Sequence, residues 1–349
     1  MDQPVAEIGV TESGFCIGAY RSASAPFWMS DRCDVYKGVG PNNQRVLIKR
    51  LNKEAAADAE VIAAFRAEAD ALKSVSSFPV ASVPEYIDFI EDGGDVALIQ
   101  ELIDGKPLTT PHRGENFARL RPYEVRRFLD QMLQTLREVH RLGYVHNDIK
   151  PVNILCRPND ALRPYTLVDF QNTERRGAAG RYQESRAEAV GAGVAASNHP
   201  FVESSAAVAY RAPERDGGAH GYYCSDIYSL GVLAIQLLTG AELHELSWNE
   251  HGHITLPLYP FAKDPILERV LMTMTGHSPI QRYQDVDEVL AALVQHRSGE
   301  ILDKPVEKPQ TARTIIAAVA LIIFLIAGFF AWKSAAAQYC RQSIDCQSR

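Results

Sequence analysis

A polar ten-residue stretch, HNDIKPVNIL (His146 to Leu155), follows directly on the clearest helical stripe in the chain, and together they constrain the fold most. From Pro122 to Leu142 the residues Val125, Phe128, Leu129, Met132, Leu136 and Val139 recur at helical spacing, and Gly143 closes the helix. A helix with one apolar stripe must lie on a core, so it delivers the stretch beyond it to the edge of that core. There Asp148, Lys150 and Asn153 stand close together in sequence, anchored by Pro151 and by the apolar pair Ile154 and Leu155.

Strand patterning fills the region before the helix. From Phe27 the segments FWMS, CDVYKGV and RVLIKRL predict three strands, with GPNN supplying the turn between the last two. Asn52 to Val75 predicts a helix whose Ile62, Phe65, Ala69 and Leu72 share one face. Two more strands are expected near Tyr86 to Ile90 and Val96 to Leu102, around the turn EDGGD. Residues before Pro26 give little signal. Beyond the polar stretch, YTLVDF predicts a strand ending at Asp169, and Arg175 to Ser205, rich in alanine, glycine and serine, predicts a mobile loop.

A proton acceptor, a cation for phosphate and an amide oxygen for a metal are what phosphoryl transfer needs, because positioning and charge neutralisation supply most of its catalysis. HNDIKPVNIL resembles the catalytic loop of protein kinases, H-R-D-x-x-x-x-N, and seven further segments, three before it and four after, stand in that family's order. Lys49 in VLIK matches the strand lysine that pairs with ATP phosphates. Glu68, preferred over Glu60 and Asp70 because it lies within the apolar stretch Phe65 to Leu72, matches the helical glutamate that holds that lysine. QELIDGKPL resembles the segment joining two lobes, with Gln100 guarding the back of the pocket and the backbone of Glu101 to Ile103 meeting adenine. Asp169 matches the metal-binding acid of D-F-G, and Glu214 the glutamate of A-P-E. Asp226 opens a segment resembling the buried central helix, and Arg282 matches the partner of the A-P-E glutamate.

The resemblance spans residues 27–296 and implies an α+β, two-lobed protein-kinase-like fold of the bacterial Hanks type. Its cofactors would be ATP and Mg2+, with Mn2+ as a substitute. Asp148 would accept the substrate hydroxyl proton, Lys150 would neutralise the transferring group, and Asn153 and Asp169 would bind the metal. Glu214, Asp226 and Arg282 would be architectural. Lys150, two residues after Asp148, is similar to the serine/threonine pattern. The reading that follows is an ATP-dependent serine/threonine kinase acting on a protein that the sequence does not name. Two alternatives stand beside it, a pseudokinase scaffold and a small-molecule kinase.

Departures from the family pattern bear on activity. The glycine-rich loop should lie just before Val35, yet its glycine positions hold Trp28, Ser30 and Cys33. Glycine lets backbone approach phosphates closely, which these residues do not. Gln171 replaces the glycine of D-F-G, Asn147 replaces the arginine of H-R-D, and Ala207 stands where a threonine is common. Ser197, Ser204 and Ser205 are candidate self-modification sites in the loop.

Composition narrows the partners. The 349 residues carry a formal charge of −7, which argues against nucleic-acid binding. Cys16, Cys33, Cys156 and Cys224 are scattered without metal-ligand spacing. The run IIAAVALIIFLIAGFFAW (residues 315–332) is uncharged and, at about 1.5 Å per residue, reaches about 27 Å, enough to span a bilayer core. It divides the chain into an N-terminal extension (1–26), the kinase-like domain (27–296), a juxtamembrane linker (297–314), one transmembrane helix (315–332) and a short outer tail (333–349). Flanking positive charge is nearly balanced, so the need for ATP places the kinase-like domain on the cytoplasmic side of the plasma membrane. Cys340 and Cys346 would be a small disulfide loop or two unrelated thiols, and homodimer formation is left open.

Overall fold

In the computed structural model, which describes residues 14–23, 25–108, 119–157, 160–182, 210–240, 247–248, 254–255 and 264–294, strand alternation organises the N-terminal part. The strands are β1 (Cys16–Ile17), β2 (Tyr20–Ser22), β3 (Trp28–Met29), β4 (Cys33–Val39), β5 (Arg45–Leu51), β6 (Tyr86–Asp92) and β7 (Asp95–Glu101). They form one antiparallel sheet in the order β1-β2-β4-β5-β7-β6, with β3 also on β4. The GPNN turn works because Asn42 and Asn43 take positive φ, which asparagine tolerates better than most residues. Gly93 and Gly94, both at positive φ, close the β6–β7 hairpin.

The sheet starts earlier than strand patterning indicates. The short pieces before Pro26 are β1 and β2, and β2 pairs with β4 through Arg21 opposite Val39. Two strands of two and three residues leave no alternation to read. They are held by the neighbouring strand rather than by their own pattern.

Period-two alternation on β5 sends Val46 and Ile48 to one face and Lys49 and Leu51 to the other. The first pair joins a cluster with Ile17, Tyr20, Ala97 and Ile99. The second face meets helix α1 (Ala59–Ser76), whose buried Phe65, Glu68, Ala69, Leu72 and Val75 recur at helical spacing. Asp58 caps α1 by accepting hydrogen bonds from the N–H groups of Glu60 and Val61.

The rest packs around α3 (Tyr223–Thr239), in which nearly every residue is buried. A helix apolar on all sides belongs at the centre of a core. Against it lie α2 (Pro122–Arg141), α4 (Pro265–Met274) and α5 (Val286–Val294). Each fully buried Leu or Ile in this cluster contributes about 1.5–3 kcal/mol. Short strands β8 (Lys106–Pro107), β9 (Tyr144–Val145), β10 (Ile154–Cys156), β11 (Tyr165–Leu167) and β12 (Glu174–Arg175) flank the polar stretch.

The loop expected from Arg175 is structured at its start. Glu174 and Arg175 pair with β9, and Gly177–Gly180 form a 3-10 turn. Most of that segment, including Ser197, Ser204, Ser205 and Ala207, lies outside the described residues, as do residues 315–332, Cys340 and Cys346. Among the described residues no helix is long and apolar enough to cross a membrane. All described residues fall in the unit Met1–Gln295, and none in the unit His296–Arg349.

Candidate active site

Because β5 turns Lys49 toward α1, its ammonium meets Glu68 inside the fold. Lys49 Nζ donates to Glu68 Oε1 at 2.7 Å and to Asp169 Oδ1 at 3.1 Å. Glu60 and Asp70 stay exposed on the outer face of the same helix. Burial works against the Lys49 charge, but the Asp169 and Glu68 carboxylates outweigh it and hold its pKa above the usual lysine range. Asp169 is driven the other way: burial would raise it, and Lys49 lowers it below the ordinary carboxylate value. A charged lysine beside an ionised carboxylate is an arrangement able to bind phosphates together with a divalent cation.

Register brings Asn153 beside Asp169. Ile154 pairs with Leu167 across β10 and β11, and Val168 N–H donates to Asn153 O at 2.9 Å. Phe170 then anchors in the core beneath α1, edge-on to the His146 ring at 4.9 Å. Asp169 itself takes φ +67°, a conformation that aspartate visits more readily than most residues. The donor set, one half-buried carboxylate and one amide oxygen, suits a hard cation. Among the described residues no three acidic, histidine or cysteine side chains converge on a metal site. Mg2+ ordinarily needs only one or two carboxylates with substrate phosphates, so Asp169 and Asn153 fit it.

The Asp148 carboxylate is held from two sides. Lys150 Nζ donates to it at 2.9 Å, and Asn153 Nδ2 donates to both its Oδ2 and its backbone O at 2.9 Å. The backbone of the loop hangs on Asp226 of α3, whose carboxylate accepts the N–H groups of His146 and Asn147, each at 2.8 Å. His140 Nε2 donates to the same carboxylate at 2.9 Å. Burial would raise the Asp226 pKa, but the His140 hydrogen bond leads the interactions that lower it.

His146 is fully buried, and burial holds its pKa below the ordinary 6.5 against the opposing pull of Asp226, Asp148 and Asp169. A histidine kept neutral stabilises the fold above its unfolded pKa, and that stability is lost as pH falls through it toward the lowered folded value. Thermal midpoints should therefore drop on acidification below roughly pH 6.5, and His146→Gln should flatten that slope. An unchanged slope in the variant would remove His146 as the cause.

Glu214 and Arg282 form a fork-to-fork pair at 2.8 and 2.7 Å, away from the Asp148 carboxylate's own partners. Gln100 is half-buried on β7 opposite Leu47. Glu101 ends the strand with its N–H on Glu85 O, and Ile103 O accepts from Gly105 N–H.

Three features of the site were not visible as contacts in the sequence. Gln171 reaches back so that Lys49 Nζ lies 3.5 Å from its Oε1, at the outer limit of a hydrogen bond. Asn147 sits at φ +69°, which asparagine tolerates, and a Cβ on Gly221 would fall 1.9 Å from its Oδ1, so any larger residue there would displace the Asn147 side chain. Arg215 Nη1 donates to Asn147 O at 2.6 Å, placing a guanidinium beside the position where the family has an arginine.

The segment in place of the glycine-rich loop is a closed hairpin. Ser30 N–H donates to Cys33 O at 2.9 Å, and Ser30 Oγ accepts from Cys33 N–H at 3.1 Å. These N–H groups are engaged within the turn rather than offered to phosphates. Trp28 and Met29 project outward, 50% and 68% exposed. The Cys33 thiol is pushed up to about 12 by burial, despite the pull of Lys49. It is therefore no nucleophile at neutral pH.

A sequence profile described as Protein kinase domain matches residues 31–256. The chain is 27% identical over 276 residues to the serine/threonine-protein kinase PknA of Nostoc sp., covering 78% of this chain and 46% of that one. It is 28% identical over 291 residues to the serine/threonine-protein kinase PknA of Mycobacterium tuberculosis, covering 79% and 61% respectively. The chain thus spans roughly half the length of these curated relatives. The crystal structure of the Mycobacterium tuberculosis PknI kinase domain superposes with a TM-score of 0.55 at 22% identity, over 82% of this chain and 98% of that one. At that identity the likeness shows the fold alone.

Proposed function

The chain belongs to the protein kinase domain family, and from that premise we propose that it transfers the γ-phosphoryl group of ATP to serine or threonine hydroxyls of proteins. One observation carries the reading: Lys49 Nζ holds Glu68 and Asp169 together although Asp169 lies 120 residues away in sequence. That contact of an ammonium with a carboxylate supports a phosphate-binding role for Lys49 and a metal-binding role for Asp169, and the pairing of β10 with β11, which brings Val168 N–H to Asn153 O, supports Asn153 as the second metal ligand.

Lys49 holds the nucleotide phosphates, and Glu68 holds Lys49. Asp169 and Asn153 would hold Mg2+, which would neutralise phosphate charge when bound. The acceptor oxygen forms a bond to the γ-phosphorus as the bond from that phosphorus to the β,γ-bridging oxygen breaks. The hydroxyl proton passes to Asp148, and ADP leaves with the bridging oxygen. Lys150, paired with Asp148, faces the charge that develops on the transferring group. Adenine would meet the backbone of Glu101 to Ile103, with Gln100 behind it.

Detergent-solubilised full chain given Mg2+ and γ-labelled ATP should label itself or a generic protein on serine or threonine. Absence of label, with ATP-induced thermal stabilisation demonstrated, would leave the pseudokinase scaffold, for which the closed Ser30–Cys33 turn speaks.

We further read residues 315–332 as one bilayer span with the kinase domain on its cytoplasmic side, a reading supported by the length and lack of charge of that run. Protease added to intact cells should spare the kinase domain. Its digestion would reverse the orientation.

A further inference from the structure

Beside Asp148 the structure holds a small cavity whose lining is unlike the rest of the chain. Lys150, Arg211 and Arg215 all line it, with Asp148 as the acid on its wall and Tyr210 and Ser229 behind. The whole chain carries a net −7, so three cations lining one cavity against a single carboxylate is a local reversal of sign. Only a fixed arrangement keeps them there. Arg215 is tethered through Nη1 to Asn147 O, while its Nε is shielded from solvent with no hydrogen-bond partner. Lys150 is tethered to Asp148. Arg211 follows Tyr210, which is buried and donates from its hydroxyl to Gln236 Oε1 on α3.

Arg211 and Arg215 also repel each other. Arg211 is held below the ordinary arginine range, first by burial and then by the Arg215 charge, against weaker pulls from Asp216 and Asp148. Two guanidinium groups lining one partly desolvated cavity give it a positive potential that favours an anion. Guanidinium groups also match the planar oxygens of carboxylate and phosphate, which makes them selective as well as attractive.

We propose that this cavity selects substrates bearing an anionic side chain, carboxylate or phosphate, next to the acceptor hydroxyl, with Arg211 and Arg215 as the specificity-determining residues. The inference rests on the proposed kinase reading, because Asp148 marks where the acceptor hydroxyl sits. The anion would dock against the two arginines while the neighbouring hydroxyl reaches Asp148. A lysine or arginine at that flank would be rejected by like charge.

The test uses detergent-solubilised full chain and serine peptides that differ only at the flanking residues: aspartate, phosphoserine, alanine or lysine. Two readouts are taken, kcat/KM for phosphoryl transfer and Kd by fluorescence anisotropy. The aspartate and phosphoserine peptides should each exceed the alanine peptide by about tenfold in both readouts, the value of a charge-assisted hydrogen bond pair. Comparing those two peptides distinguishes a carboxylate-reading site from one that requires a phosphate. Arg211→Gln should collapse the acidic-to-neutral ratio, mainly through KM, while Arg211→Lys should retain part of it. Rising salt should erode the preference in the native chain. Equal use and equal binding of all four peptides, or a preference untouched by Arg211→Gln, would overturn the proposal. Anion-selective binding without any transfer would sustain the cavity's role and refute the kinase reading instead. Transfer without anion preference would do the reverse.

Discussion

Asp148→Asn should lower phosphoryl transfer by roughly 10²–10⁴-fold, the usual worth of a positioned proton acceptor, while leaving nucleotide binding in place. The asparagine keeps the size of the side chain and can still accept from Asn153 Nδ2, which donates to Asp148 at 2.9 Å. What it loses is basicity and the negative charge that pairs with Lys150. The Lys49, Glu68 and Asp169 set is not touched, because none of those side chains hydrogen-bonds to Asp148. ATP should therefore raise the thermal midpoint of the variant as it does that of the native chain. Transfer rates measured by label incorporation, together with that thermal shift, separate the two effects. A variant that transfers at the native rate would show that the hydroxyl proton goes elsewhere.

Arg282→Ala should destabilise the fold by about 3–5 kcal/mol, the range for stripping one partner from a buried ion pair. Every guanidinium donor is in use. Nε donates to Gly276 O at 2.7 Å, Nη1 to Glu214 Oε1 and Cys224 O, and Nη2 to Glu214 Oε2 and His277 O. The side chain is fully buried, and its guanidinium carbon also lies 4.6 Å from the centre of the Tyr228 ring. Alanine would strand the Glu214 carboxylate and three backbone carbonyls in a place that water reaches poorly. Lysine would restore charge but not the planar fork, so Arg282→Lys should recover only part of the loss. The double variant Arg282→Met with Glu214→Leu should be less damaged than the single alanine, since no charge is left unpaired. Equilibrium urea unfolding of the three variants measures this. A loss below about 1 kcal/mol for Arg282→Ala would mean that the pair is solvated rather than structural.

Periodicity carried most of the architecture. The stripe from Val125 to Val139 became α2, and Phe65, Glu68, Ala69 and Leu72 became the buried face of α1. Glu68 could be separated from Glu60 and Asp70 because a helix face is a property of neighbouring positions. β1 and β2 escaped because two or three residues carry no alternation. Gln171 was legible as a departure from glycine, but not as a side chain lying against Lys49. Nor could the placement of Arg215 beside Asn147, 68 residues earlier, be read from either segment.

By itself, then, the order of residues determined the longer helices and strands and that Glu68 faces inward. Those properties depend on residues a few positions apart, and backbone geometry repeats over that distance. Only the tertiary structure decided that Lys49 touches Glu68 and Asp169 together, that Asp226 gathers His140, His146 and Asn147, and that Lys150, Arg211 and Arg215 line one cavity with Asp148. Those contacts join segments up to 120 residues apart. They are set by how strand register and helix packing bring separate elements together, which no local pattern encodes.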